Sequence, residues 1–105
     1  FHIVADGAAL ATACQQVRDE DRGALVQVNA GSLRMEVRSD DEGMRVATVP
    51  CRTSGRAFDF GINPTYLREA VTGASEVTLG LTDGTSPIRI DHSDGLLAVV
   101  MPCRI

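Results

Sequence analysis

The chain carries one supersecondary unit twice. Val49-Pro50-Cys51-Arg52 returns as Met101-Pro102-Cys103-Arg104 at an offset of 52, and Glu42-Gly43-Met44 returns at that offset as Asp94-Gly95-Leu96. The beginnings of the halves match at an offset of 57, where Phe1-His2-Ile3 answers Phe58-Asp59-Phe60 and Asp6-Gly7-Ala8-Ala9-Leu10 answers Asn63-Pro64-Thr65-Tyr66-Leu67. The half-repeats therefore run over about 1–52 and 58–105, with the longer connection in the first. At 105 residues the chain makes one domain that can bury roughly 60 to 70 % of its unfolded surface.

Each half begins with a short apolar strand followed by a capping residue. Asp6 offers a carboxylate to the first N–H groups of a helix from Ala8 to Asp19, in which Leu10, Ala13, Cys14 and Val17 fall at helical spacing and Thr12, Gln15 and Gln16 turn away. Asn63 caps the second helix, with Pro64 at the first helical position, where a missing N–H costs nothing, and Leu67, Ala70 and Val71 as the apolar stripe. Asp19-Glu20-Asp21-Arg22-Gly23 reads as a charged closing turn, and Thr72-Gly73 ends the second helix.

Strands follow each helix. Ala24 to Val28 and the alternating stretch of Leu33, Met35 and Val37 with Arg34, Glu36 and Arg38 form a hairpin across Asn29-Ala30-Gly31-Ser32, and Met44 to Val49 follows the Asp40-Asp41-Glu42-Gly43 turn. In the second half Phe58 and Phe60 read as the opening strand. Val77, Leu79 and Leu81 form the next, Ile88 and Ile90 flank Arg89 on another, and the apolar run from Leu96 to Met101 reads as a strand covered on both faces. The fold class is α+β: a duplicated β-α-β-β-β unit with two helices on one face of antiparallel sheets, related by a pseudo-twofold.

Composition excludes several classes of function. The net charge is −4, and all ten basic residues are Arg, so any nucleic-acid contact must come from a local basic surface on an acidic body. The three cysteines, Cys14, Cys51 and Cys103, include no C-x-x-C pair, which speaks against a disulfide framework or a zinc site and for a cytoplasmic location. Cys51 and Cys103 occupy equivalent positions in the two halves and so lie on opposite sides of the pseudo-twofold. No apolar stretch reaches the ~20 residues of a membrane span, so no membrane partner is expected. His2 and His92 read as surface residues, and no nucleotide-binding loop, nucleophile motif, metal site or cofactor site is found. The first residue is Phe1, and the chain reads as the C-terminal piece of a longer, multi-domain polypeptide.

Phe60-Gly61-Ile62-Asn63-Pro64-Thr65-Tyr66-Leu67, Val77-Thr78-Leu79, Leu81-Thr82-Asp83, Ser86-Pro87-Ile88 and the ending Val99-Val100-Met101-Pro102-Cys103-Arg104-Ile105 resemble the C-terminal domain of the bacterial DNA polymerase III beta subunit, the sliding clamp. The resemblance is close in the second half and topological in the first. It implies the DNA clamp fold and a homo-oligomeric, head-to-tail ring in the full-length protein. Such a ring encircles duplex DNA without reading sequence, performs no catalysis, and confers processivity on the polymerase.

The resemblance also implies two sites. Helix residues Gln15, Arg18, Arg22 and Arg68 would face the duplex, although the same arginines also read as a solvated helix face. Val99, Met101, Pro102, Cys103 and Arg104 would line a groove for polymerase and clamp-loader peptides, a use that suits a flexible thioether, while Val99 also reads as core of a closing strand. An alternative is the clamp-like oligomerisation or sensing domain of an actinobacterial helix-turn-helix regulator of the MerR type.

Overall fold

Capping decides where both helices begin. The computed structural model describes residues 1–18, 22–39 and 43–104. Asp6 ends strand β1 (His2–Asp6), and its carboxylate accepts the Ala9 amide at 2.8 Å, which starts α1 (Gly7–Val17). Asn63 follows β5 (Phe60–Ile62) and accepts the amides of Thr65 at 2.9 Å and Tyr66 at 3.4 Å, which starts α2 (Pro64–Val71). Thr72 closes α2 by donating its amide to the Arg68 carbonyl, and Gly73 takes a φ of 87° in the left-handed region that favours glycine.

The remaining strands are β2 (Ala24–Asn29), β3 (Ser32–Ser39), β4 (Gly43–Ser54), β6 (Glu76–Gly80), β7 (Ile88–His92) and β8 (Leu97–Val100). Among the described residues the order is thus β-α-β-β-β twice. The eight strands form one curled antiparallel sheet in the order β5-β2-β3-β4-β1-β6-β7-β8. The halves exchange their first strands: β5 pairs with β2 through Val26 and Phe60, and β1 pairs with β6 through Ala5 and Val77. Long strand β4 joins the two quartets, pairing with β3 over its first part and with β1 from Cys51 to Ser54. On the far side the curl ends in a single bridge between Gly61 and Cys103.

Both helices lie against each other and against the same face of the sheet. Leu10, Ala13, Cys14 and Val17 of α1 and Leu67 and Val71 of α2 are buried against Ile3, Val26, Met35, Val37, Val49, Val77, Leu79 and Ile90. Burial pushes the Cys14 thiol up to about 12, so it packs as a small apolar residue. Two close approaches set the geometry. Gly7 gives its amide to the Ser75 carbonyl at 3.0 Å and lies so near the Ala74 carbonyl that a Cβ would overlap it. Gly23 lies equally close to the Cys103 thiol.

The difference between the two repeat offsets resolves into two parts. Helix α1 has 11 residues against 8 in α2, and the following connection has six residues (18–23) against four (72–75). The turns placed at Asp19-Glu20-Asp21 and Asp40-Asp41-Glu42, and the terminal Ile105, lie outside the described residues.

Three expectations from the sequence are corrected. Strand β8 is not covered on both faces: among the described residues it pairs with β7 alone, and Leu96, Leu97, Val99 and Met101 are exposed while Val100 faces the core. An apolar run is ambiguous because alternation is the only local signal of a half-exposed strand, and this run has none. Phe58 is outside β5, its ring standing edge-on to Phe1 with centroids 5.1 Å apart. His92 is not a surface residue. Its side chain is 9 % exposed, and Nε2 is 2.5 Å from the Ala70 carbonyl at the end of α2.

Candidate functional site

The helix pair presents its polar side away from the sheet. Because the buried stripe of α1 takes positions 10, 13, 14 and 17, Thr12, Gln15 and Gln16 are left exposed. Together with Ala11, Arg68 and Thr72 they line a shallow hollow of about 390 Å³ between the helices. Gln15 and Arg68, singled out from the sequence, are thus brought together. Arg18 is the exposed C-cap of α1, and its carbonyl accepts a hydrogen bond from the Arg45 guanidinium of β4. Arg22 is elsewhere: it borders a hollow on the opposite side of the sheet with Leu25, Glu36, Arg38 and Arg104.

A second surface lies at the end of the chain. Strand β8 turns Val99 and Met101, 60 % and 58 % exposed, outward beside Leu97. Pro102 cannot donate to a ladder, so pairing with β7 stops there. The chain then reaches β5, where the Cys103 amide donates to the Gly61 carbonyl at 3.0 Å. Pro102, Cys103 and Arg104 form one wall of a hollow of about 410 Å³, whose other wall is Asp59, Phe60, Gly61, Gly84 and Thr85. Of the five residues expected at the groove, Pro102, Cys103 and Arg104 line this hollow, while Val99 and Met101 do not line it and stand exposed on the segment that leads to it.

Thr85 was missed by the sequence reading, although the turn that holds it is readable. Asp83 accepts the Thr85 amide at 2.8 Å and the Ser86 amide at 2.7 Å, together with both hydroxyls, at 3.0 Å for Thr85 and 2.9 Å for Ser86. These bonds, led by the two amides, hold the Asp83 carboxyl down at about 2. The side chain makes an Asx turn, and the turn fixes the Gly84–Thr85 wall. Asx chemistry was legible in Asp83-Gly84; its position across from Pro102 depends on the sheet curl.

The outer sheet face carries a polar chain. Gln27 donates to Asp59 at 3.2 Å, Arg34 to Gln27 and Glu36 at 3.2 Å each, and Arg38 to Glu36 at 3.3 Å. Glu36 is only 9 % exposed. Desolvation works to raise its carboxyl, but the hydrogen bonds from Arg34 and Arg38 outweigh it and hold the group below its usual range. Among the described residues no cluster of three or more His, Cys, Asp or Glu side chains could hold a metal ion, and no helix is long and apolar enough to cross a membrane.

A curled eight-stranded sheet made of two interleaved β-α-β-β-β units, with paired helices on one side, is the fold of a sliding-clamp domain. The chain belongs to the family described as DNA polymerase III beta subunit, C-terminal domain, whose model matches residues 3–104. It is a DNA-replication family.

Among solved structures, the DNA polymerase III beta subunit of Thermotoga maritima superimposes with a TM-score of 0.90 at 22 % identity, covering 99 % of this chain and 30 % of that one. The Pseudomonas aeruginosa sliding clamp gives 0.87 at 24 %, covering 99 % and 31 %. The Bartonella birtlesii clamp, solved bound to griselimycin, gives 0.89 at 20 %, covering 99 % and 30 %. At these identities the likeness establishes the fold alone. The chain spans about a third of the length of the clamps it matches, and no curated protein matches it in sequence.

Proposed function

We propose that this chain is the C-terminal domain of a replicative sliding clamp. In this reading the full-length protein closes as a homo-oligomeric ring around duplex DNA and tethers the polymerase without catalysis of its own. The observation that carries the reading is the exposed apolar edge of Leu97, Val99 and Met101 ending at Pro102, within a family defined by the polymerase beta subunit. Exposed apolar side chains in a row beside a hollow suit an extended peptide with two or three apolar anchors. Partner peptides from the polymerase and the clamp loader would dock there, with Met101 repacking to suit each.

The helix face of Thr12, Gln15, Gln16 and Arg68, with Arg18 at its end, fits the second task. Sliding requires weak and delocalised phosphate contact, because tight contact at one register would act as a brake. Hydroxyls, amides and a few guanidiniums supply that on a domain of net charge −4. Arg22, on the other side of the sheet, is assigned no such contact.

Processive synthesis tests the reading. On a primed single-stranded template, adding the full-length protein to its replicative polymerase lengthens the run of synthesis per binding event. A variant with Met101→Ala, still retained on the DNA, shortens that run toward the value without the protein. A run length that the protein does not change at all would contradict the proposal.

A further inference from the structure

Cys103 is half-buried in the wall of the hollow beside β8, and the residue that seats it is far away in sequence. Gly23, just before β2, lies so near that a Cβ on it would stand 2.3 Å from the Cys103 Sγ. The next atoms among the described residues, the Cys103 Cβ and the Ile62 carbonyl oxygen, would be ordinary contacts at 3.7 Å each. Gly23 does not take a left-handed φ, so its missing side chain serves this approach and not the backbone. The thiol fills the place a side chain at 23 would occupy, and burial there pushes its pKa up.

Duplication shows why the tail needs such a seat. Cys51, its counterpart in the first half, opens a stretch of four ladder pairs between β4 and β1. The position there that matches Gly23 is Ser75, which carries a side chain. Among the described residues the tail beyond β8 makes one bridge, in which the Cys103 amide donates to the Gly61 carbonyl at 3.0 Å. One bridge fixes a point on the tail without fixing its direction, and the thiol on Gly23 supplies a second point. The tail is also thin, since Gly23 borders the hollow on one side of it, Cys103 the hollow on the other, and Arg104 both.

We infer that Gly23 is a positioning residue for partner docking: it seats the Cys103 thiol, and the seat sets the Pro102, Cys103 and Arg104 wall of the hollow. This role rests on the docking edge proposed above. A side chain at 23 would force the thiol to turn about its Cα–Cβ bond or to carry the tail with it. Either movement changes the wall that faces Asp59, Phe60 and Thr85, and a binding surface set about 1 Å out of place loses much of its fit.

A two-by-two comparison in the full-length protein tests this, with Gly23→Ala made in the wild type and in Cys103→Ala, and a fluorescent Gln-Leu-Ser-Leu-Phe peptide as the probe. In the wild type Gly23→Ala should weaken the peptide about 5- to 20-fold, and in the Cys103→Ala background, where no sulfur remains to collide, it should change affinity by less than about twofold. Thermal melts of all four proteins should agree within about 5 °C. Alkylation by iodoacetamide should report the seat itself. Read by mass spectrometry of tryptic fragments, which separates Cys103 from Cys14 and Cys51, the Cys103 rate should rise at least about threefold in Gly23→Ala as the thiol leaves its shelter.

Unchanged peptide affinity in Gly23→Ala, an equal loss in both backgrounds, or an unchanged Cys103 alkylation rate would overturn the inference while leaving the docking edge standing. A Gly23→Ala protein that melts more than about 10 °C lower would make the contact part of the fold and not of the wall, and would overturn it too. No binding of the peptide by the wild type would instead count against the docking edge, and the role of Gly23 would fall with it.

Discussion

Met101 is exposed on a strand edge with its thioether free to repack, next to a proline that stops the ladder. Replacing it with Ala should weaken a Gln-Leu-Ser-Leu-Phe peptide by about 1 to 3 kcal/mol, the range of an interface anchor, as read by calorimetric titration; unchanged affinity would remove Met101 from the site. Asp83 gives a prediction in pH. Its folded carboxyl lies at about 2, below the ordinary 3.8, so its contribution to stability is complete above the ordinary value and is lost as pH falls through the folded one. Thermal melts between pH 5 and pH 2 should therefore show a larger fall for the wild type than for Asp83→Asn. Parallel curves would show that the charge at Asp83 contributes nothing to the turn. At this scale the sequence was informative where chemistry is local, as in the caps Asp6 and Asn63 and the Asp83 turn. It was uninformative for His92 and Glu36, whose burial depends on α2 and on two arginine side chains crossing above the sheet.

Helix α1 can start only because Gly7 allows the Ala74 carbonyl to approach it. Gly7→Ala has no φ penalty but must push the chain at Ala74 and Ser75 away, and it should cost about 1 to 3 kcal/mol in denaturant unfolding; a change within ~0.5 kcal/mol would mean that this approach is looser than described. The helices were legible because residues three and four apart report one face, and every residue of the α1 stripe is buried. Strand existence was legible too, from period-two alternation in Arg34, Glu36 and Arg38 against Leu33, Met35 and Val37. Strand partners were not. The exchange of β1 and β5 between the quartets joins residues far apart in sequence, and an alternating pattern fixes which face is buried without naming the neighbour. The same limit hid the free edge of β8, since six apolar residues in a row read alike whether one face or both are covered.

Over the whole molecule, duplication does two things at once. It sets two helices side by side on one face of a single sheet, and it leaves the last strand of the second half with an unpaired apolar edge. The first gives a polar surface with few charges, which in the proposed function lets a duplex move past it, and the second gives the exposed apolar edge at which that proposal docks partner peptides. Neither requires bond chemistry, so the proposed activity is one of shape and topology. An acidic body with a sparse basic face predicts a shallow salt dependence for contact with open DNA, because few counterions are released. A closed ring, by contrast, remains on a circle whatever the salt. The most direct measurement is retention of the full-length protein, assembled on a nicked circular plasmid, during gel filtration at ~0.5 M salt, where surface charge is screened within a few ångströms. The protein should stay with the circle and be lost once a restriction cut makes it linear; equal loss from circular and linear DNA would contradict ring closure.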